Sequence, residues 1–327
     1  MSLSQDNNCQ TLSWAVGDAP LGQGPCVAAI GNFDGVHRGH GRVVAAAIAA
    51  ARQAGVAAAA ITFDPHPREF FRHDETPFHL ADRTEKDRLL AALGVDRVIH
   101  VTFDDNLRCT DAAAFVTDVL PALGVTGLFA GSDFAFGRGR GGDIDTINAM
   151  GARIGISATA VPLLTDANSA VISSSRIRAA LQAGEAEQAA AMLGHDWAVT
   201  GTVQLGDQRG RTIGFPTANI PLGALLHPAF GVYAVQIFDA GPAAGFALLG
   251  NGVANIGIRP TVEDRGVLCE AHLFDQQPDL YGRRLAICLK FFLRTERKFT
   301  GIDELKSQIA KDARAAREIL PLILQTA

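Results

Sequence analysis

The 327-residue chain has no long apolar run. Its longest aliphatic stretch, Val43 to Ala60, is mostly alanine and is broken by Arg52, Gln53 and Gly55. Nothing reaches the roughly 20 residues that a bilayer-spanning helix needs. The start, MSLSQDNNCQ, has no basic segment leading into an apolar one, so a secretory leader is not expected. Cysteine is sparse: Cys9, Cys26, Cys109, Cys269 and Cys288 are scattered, odd in number and without metal-ligand spacing. That pattern excludes a disulfide framework and predicts reduced thiols in a cytoplasmic protein. Positive charge is also short. The net charge is −5, all of it in residues 1–186, while 187–327 balance. A nucleic-acid binder would show a basic excess. Neither nucleic acid nor membrane is expected as a partner, although a small phosphate ligand needs only a few local donors.

What is present is an ordinary globular composition, 48% hydrophobic, at a length that suggests two domains. The first half alternates strand-like and helix-like segments. Strands are predicted at Cys26 to Phe33, Val56 to Phe63, Arg97 to Phe103, Val125 to Gly131 and Ser157 to Pro162. Helices are predicted near His40 to Ala54, Glu85 to Leu93, Asp111 to Leu123 and Asp143 to Ile154. This rhythm predicts an α/β fold, a parallel sheet covered by helices on both faces. After the short helix Ser175 to Ala183 come glycine-punctuated β-rich runs, which suggest an antiparallel barrel or sandwich. A closing helix carries Ile302, Leu305, Ile309, Ala313, Ala316 and Leu320 at helical spacing. The division is placed near residue 186, giving 1–186 and 187–327. The first twenty residues carry no readable signal.

GNFDGVHRGH, Gly31 to His40, stands where a strand ends and a helix begins. His37 and His40, three residues apart, can face one ligand at a helix N-terminus, where unpaired N–H groups suit phosphate. Gly39 allows close backbone approach, and imidazolium could neutralise charge on a phosphoryl group. A turn with two surface histidines is the plainer alternative. At other strand ends stand ITFDPHPREFF, with Asp64, His66 and Arg68, and GSDFAFGRGRGG, with Asp133, Arg138 and Arg140. The first is either a catalytic or a structural loop. The second, read as a pliable glycine loop, gains weight only from lying at the same sheet edge. ISSSRIR puts Arg176 and Arg178 at a helix start capped by Ser173 or Ser174. Cations there oppose the helix dipole unless an anionic ligand is bound; the alternative is a solvated helix end.

The second half holds GTVQLGDQRGRTIGFPTANI, Gly201 to Ile220. Gly206, Gly210 and Gly214 allow a tight loop against phosphate, and Arg211 adds charge. Thr217 and Asn219 present oxygens on one face of an extended segment, which suits Mg²⁺ held together with ATP phosphates. A glycine-rich hairpin is the alternative. GVANIGIRPT supplies Asn255, Arg259 and Thr261. CEAHLFD places Glu270 and His272 on one strand face. Glu270 is either a general base or a surface carboxylate on an edge strand.

In this order GNFDGVHRGH, FDPHP, GSDFAFGRGRGG and ISSSRIR resemble the nucleotidyltransferase domain of bacterial FAD synthetases. Ser175 stands where that family usually has threonine, and a hydroxyl is retained. GTVQLGDQRGRTIGFPTAN, GVYAV, NIGIRPT, CEAHLFD and DLYGRRL resemble the bacterial riboflavin kinase module. GHDW, Gly194 to Trp197, replaces a segment that is commonly GRPY-like. Together the resemblances span about residues 22 to 320, in the order of the bifunctional riboflavin kinase/FAD synthetases. They imply a Rossmann-like domain with a parallel sheet, followed by a small antiparallel β-barrel with a closing helix. The implied substrates are ATP, riboflavin and FMN, with Mg²⁺ accompanying ATP and with FMN and FAD as substrate and product rather than prosthetic groups. The resemblance makes His37, His40, Arg176, Arg178 and Glu270 catalytic. It adds Asn32 and Ser174 to the residues at ATP, where the motif readings put Gly31, Phe33, Gly39, Gly206, Gly210, Arg211 and Gly214. It places Asp34, Asp133, Asn255 and Arg259 at flavin, and Thr217 and Asn219 at the metal. An adenylyltransferase for another phosphate acceptor would share the first half, but the kinase-like second half argues against it. A non-catalytic flavin-binding module is the other alternative, opposed by the intact site sets.

Overall fold

The structure is a computed structural model describing residues 9–72, 76–205, 215–241, 246–258 and 266–324, with side chains to residue 320. It divides into two compact units. One comprises Met1–Glu75 with Arg83–Ser173; the other comprises Thr76–Asp82 with Ser174–Ala327.

The first unit is built on six parallel strands: β1 (Gln10–Trp14), β2 (Cys26–Ile30), β3 (Ala57–Asp64), β4 (Arg97–Thr102), β5 (Val125–Gly131) and β6 (Ser157–Val161). Their order is β1-β4-β3-β2-β5-β6. The predicted parallel α/β sheet is therefore present. β2 shows why it forms: all five of its residues are buried, and alternate side chains enter opposite cores. Cys26, Ala28 and Ile30 pack on one face, and Val27 and Ala29 on the other. Strands buried on both faces read as continuous apolar runs. From β2 the chain moves outward to β3 and β4, then returns to the other side of β2 for β5 and β6. The gap between the carboxyl ends of β2 and β5 is thus the topological switch point, where open α/β sheets bind ligands.

Two segments differ from expectation. β1 pairs in parallel with β4 through Gln10↔Arg97 to Trp14↔Val101, at the sheet edge. Only Trp14 of its five residues is buried, so little apolar patterning marked it. The helix predicted over Asp111 to Leu123 is broken into Ala112–Ala114, a π-helical turn Phe115–Val119, and Leu120–Ala122. Pro121, which cannot donate to the helical ladder, lies in its last piece.

The second unit holds β7 (Ala198–Thr202), β8 (Ala218–Pro221), β9 (Gly231–Asp239), β10 (Ala247–Ile258), β11 (Val267–Leu273) and β12 (Arg284–Thr295). These pair antiparallel in the order β7-β12-β9-β10-β11-β8. Gln204, just beyond β7, donates its N–H to the carbonyl of Asn219 in β8 at 2.9 Å, so the six strands curl into a nearly closed barrel. The barrel resolves the alternative of a sandwich. The closing helix Ile302–Leu324 packs Ala316 and Leu320 onto Val232, Ala234, Val253 and Phe274. Ile302, included in the predicted apolar stripe, is exposed instead, at the helix start.

The segment 76–82 is part of this second unit. Trp197 Nε1 donates to the Leu80 carbonyl at 2.7 Å. Asp82 Oδ2 accepts from Thr200 Oγ1 at 2.8 Å and from Arg284 Nη2 at 2.6 Å. Hydrogen bonds to a charged group are worth about 1.5–3 kcal/mol each. Asp82→Ala is expected to destabilise the second unit by about 1–3 kcal/mol in urea, read by Trp197 fluorescence in a Trp14→Phe background.

Candidate active sites

The first site begins in the turn that joins β2 to the helix Arg38–Ala54. Phe33 and Val36 have φ of +48° and +40°, a region disfavoured for side chains with a Cβ, and most of all for a β-branched one. Such strain is held only where the surroundings enforce it. His37 caps the helix, its Nδ1 accepting the His40 N–H at 3.3 Å. An imidazole that accepts at Nδ1 carries its proton on Nε2. The two histidine rings stack with centroids 3.6 Å apart, and Phe33 meets His40 edge-on at 5.3 Å. Gly39 makes room for this arrangement. A Cβ there would lie 3.0 Å from His37 Cε1 and 3.6 Å from the Ile172 carbonyl. Any residue but glycine would push on the capping ring.

His37 and Asp34 are buried and His40 is half-buried. His40 Nδ1 is enclosed with no hydrogen-bond partner among the described residues. Desolvation, then the neighbouring His37 and Lys86, hold the His40 imidazole well below its ordinary range. The free protein therefore favours the neutral imidazole above about pH 6.5. An anion beside it would favour protonation.

Beside this turn, across the switch point, the loop after β5 is firmer than its glycines suggested. Phe136 and Gly142 exchange backbone hydrogen bonds at 2.9 and 3.0 Å, and both pack on Ala112 or its neighbours. A Cβ on Gly142 would lie 2.6 Å from the Phe136 ring. Arg138 and Arg140 are exposed on the short turn between them, and Asp133 is exposed near its start. The FDPHP loop is tied down by local bonds. His66 Nδ1 accepts from the Arg68 N–H at 3.0 Å, capping the helix Pro67–Phe71, and Asp64 pairs with Arg83.

Two groups of residues at this edge escaped sequence reasoning. Phe63, Phe70, Phe71 and Phe103 form an edge-to-face aromatic cluster, with Phe71 60% exposed. Lys86, in the helix Arg83–Ala92, is buried, and its Nζ lies 3.3 Å from Thr62 Oγ1 and 3.5 Å from the Asn32 carbonyl. A signal existed: Lys86 stands three and four residues before Leu89 and Leu90, on the apolar stripe.

Ser174, Arg176 and Arg178 lie in the helix Ser174–Gln182, which belongs to the second unit. Arg178 lies one residue beyond the first turn. Its Nε donates to the Phe78 carbonyl at 2.8 Å and its guanidinium covers the Phe78 ring.

The second site is set by strand register. Asn219 in β8 is directly opposite Glu270 in β11, and Glu270 is directly opposite Asn255 in β10. The three side chains therefore form a row on one face of the sheet, with neighbouring Cβ atoms about 5 Å apart. Val232 is opposite Asn255, so this is the face on which the closing helix packs. Glu270 lies in an inner strand of the barrel wall, flanked by β8 and β10, which removes the edge-strand alternative. Asn255 Nδ2 donates to Glu296 Oε1 at 3.1 Å. His272, two residues on, reaches the Pro216 carbonyl with Nδ1 at 2.9 Å and so fixes the segment that leads to Thr217. Asn219 is buried. Its Nδ2 donates weakly to the Thr217 carbonyl at 3.5 Å, and its Oδ1 has no partner among the described residues. A cavity of about 240 Å³ opens beside Thr217 and Asn219, walled by Val203, Pro216, Ala271, Leu273 and the segment 276–281. Gly206, Gly210, Arg211, Gly214, Arg259 and Thr261 lie outside the described residues.

Residues 20–176 match the FAD synthetase family and residues 193–320 match the riboflavin kinase family. The bifunctional riboflavin kinase/FMN adenylyltransferase of Escherichia coli K12 is 41% identical over 308 residues, 92% of this chain and 96% of that protein. The chain belongs to the bifunctional riboflavin kinase/FMN adenylyltransferase family. Members from Pseudomonas fluorescens and Bacillus subtilis are 38% and 37% identical, each over 90% of this chain and over 93% and 92% of their own lengths. A crystal structure described as a macrolide-efflux protein from Streptococcus pneumoniae has the same fold. Its TM-score is 0.80 at 26% identity, covering 94% of this chain and 99% of that one. Among the described residues no helix is long and apolar enough to cross a membrane.

Neutral, enclosed His40 has a thermodynamic consequence. Its folded value lies below the unfolded value of about 6.5. Stability is therefore complete above about pH 6.5 and is lost as pH falls, because the unfolded chain takes up the proton first. Between pH 6.5 and 5, wild type is expected to lose up to about 1.4 kcal/mol per pH unit more than His40→Asn, measured by urea unfolding.

Proposed function

We propose that the chain carries out two consecutive phosphate transfers: riboflavin with ATP to FMN and ADP, then FMN with a second ATP to FAD and pyrophosphate. The kinase step is assigned to residues 187–327 and the adenylyl step to 1–186, with segments 76–82 and 174–186 built into the second unit. The observation that carries this reading is the coexistence of two separate constellations in one chain. The stacked His37–His40 pair stands at the switch point of the parallel sheet, and the Asn219–Glu270–Asn255 row stands on the barrel.

In the kinase step Glu270 accepts the proton of the ribityl 5′-hydroxyl, whose oxygen attacks the γ-phosphorus, and ADP leaves. Asn255, beside Glu270 and tied to Glu296, orients flavin, and Arg259 is read as a further flavin contact. Thr217 and Asn219 are the residues that would hold Mg²⁺ with ATP, and the buried, unpartnered Asn219 Oδ1 fits that role. Bound there, the ion would neutralise charge on the phosphate oxygens. Gly206, Gly210, Arg211 and Gly214 are read as the phosphate loop.

In the adenylyl step an oxygen of the FMN phosphate attacks the α-phosphorus of ATP, and the bond to the bridging oxygen breaks to release pyrophosphate. A phosphate is already a competent nucleophile, so the residues contribute alignment and charge stabilisation. His37 donates from Nε2. His40, neutral before binding, gains a proton more readily once phosphate is beside it. Gly31, Asn32, Phe33, Gly39 and Ser174 are read as lining ATP, and Arg176 and Arg178 as supplying positive charge. Asp34 and Asp133 are read as flavin contacts. The exposed Phe71 ring, backed by its cluster, offers an apolar face on which an isoalloxazine ring could stack. Five free thiols fit a cytoplasmic enzyme.

Incubation with riboflavin, Mg²⁺ and ATP, followed by chromatography, should yield FMN and then FAD. If neither forms, the reading is wrong. His40→Ala should still give FMN but lower FAD formation by about a hundredfold or more. Glu270→Ala should lower FMN formation by about 10²–10⁴-fold while supplied FMN still becomes FAD. Loss of both activities from either change would contradict two separate sites.

A further inference from the structure

A lysine inside a folded core needs a reason, because an ammonium buried without partners is costly and a leucine would pack more easily. Lys86 is 8% exposed and projects from the helix Arg83–Ala92 beneath the turn that follows β2. Its Nζ is 3.3 Å from Thr62 Oγ1 and 3.5 Å from the Asn32 carbonyl. Thr62, wholly buried in β3, donates its hydroxyl to the same Asn32 carbonyl at 3.1 Å. That carbonyl belongs to the peptide leading directly into Phe33, the first of the two strained residues. Two donors thus converge on the point where the chain leaves extended geometry and starts the turn to His37.

The charges around Lys86 come from three elements. Asp34 lies in the turn itself, and Asp64 ends β3. Asp87 and Arg83 lie on its own helix. Asp87 is in turn bonded to buried His100 of β4, Nε2 to Oδ1 at 2.7 Å. Desolvation lowers the Lys86 ammonium from its ordinary value, while the three carboxylates act the other way and Arg83 adds to the lowering. His37 and His40 complete the set of titratable groups at the turn, and Lys86 is among the neighbours that depress His40.

We propose that Lys86 is a positioning residue for adenylyl transfer, its ammonium fixing the Asn32 carbonyl and thereby the strained turn that presents Phe33, His37 and His40. It acts through the backbone and through its field on His40. The role rests on the reading of the first site as the place of FAD formation.

The test uses the full chain with Lys86→Met, which removes donor and charge, and Lys86→Gln, which keeps a donor without the charge. FAD formation from supplied FMN and FMN formation from riboflavin are measured on each protein, with the His40 titration followed by NMR. Lys86→Met should lower kcat for FAD formation by about tenfold or more, as expected for misaligned reactants, with a smaller change in KM. FMN formation should stay within about twofold of wild type, since that step is independent of the turn. Lys86→Gln should recover much of the lost kcat. In both variants the His40 pKa should rise, because a neighbouring cation has gone. A Lys86→Met protein with wild-type kcat and an unmoved His40 titration would overturn the proposal. So would equal loss of both activities in both variants, which would mark Lys86 as a general stability residue. If wild type makes no FAD, the assignment of the site fails; if wild type makes FAD and Lys86→Met matches it, only the role of Lys86 fails.

Discussion

Much of the first site follows from one hydrogen bond, the His40 N–H to Nδ1 of His37. A histidine used as a helix cap has a fixed ring orientation. Once Nδ1 is committed to the helix N-terminus, the ring lies over the next turn and stacks on His40. The residue just before His40 must then be glycine, since a Cβ on Gly39 would meet the capping ring at 3.0 Å. His40 loses water to the ring above it and to Phe33 beside it, and so becomes neutral. The spacing of the motif, two histidines with a glycine before the second, is therefore a packing rule.

The turn that allows this cap is unfavourable by itself. Phe33 and Val36 sit at positive φ, and the conformation is held by what surrounds them. β2 and β3 fix its start, the Gly31 N–H donating to the Ile61 carbonyl at 3.1 Å. Thr62 and Lys86 hold the Asn32 carbonyl. Strain at a ligand-binding turn is common where pre-organisation is needed, because the conformation is then set before the ligand arrives. In the second unit the row of polar residues is built with regular structure. Antiparallel register alone puts Asn219, Glu270 and Asn255 side by side, and no residue in that row needs an unusual backbone.

The parallel sheet was legible because doubly buried strands are continuous apolar runs, and CVAAI and AAAAI are such runs. The barrel strands were legible from alternation and glycine punctuation. β1 was not, because an edge strand with one buried residue has almost no pattern to read. The helix over 111–123 was read as one piece because apolar periodicity does not distinguish an α-helical turn from a π-helical one. Lys86 was missed because a charged residue in a helix is normally solvated; only the positions of Leu89 and Leu90 hinted that it faces inward. Nothing local in Thr76 to Asp82 announces that Leu80 and Asp82 answer Trp197, Thr200 and Arg284.

The sequence by itself determined the two fold classes, their order, and the residue types that each motif presents. It could do so because apolar periodicity and short-range spacing are local properties, repeated over many residues. Only the tertiary structure decided that His40 is neutral, that Glu270 sits between two asparagines inside the barrel wall, and that Arg178 is held by Phe78. The physical reason is the same in each case. Desolvation, cross-strand register and long-range hydrogen bonds depend on residues tens or hundreds of positions away. In GNFDGVHRGH the motif names the groups at the site, and the surrounding fold sets their charge and their geometry.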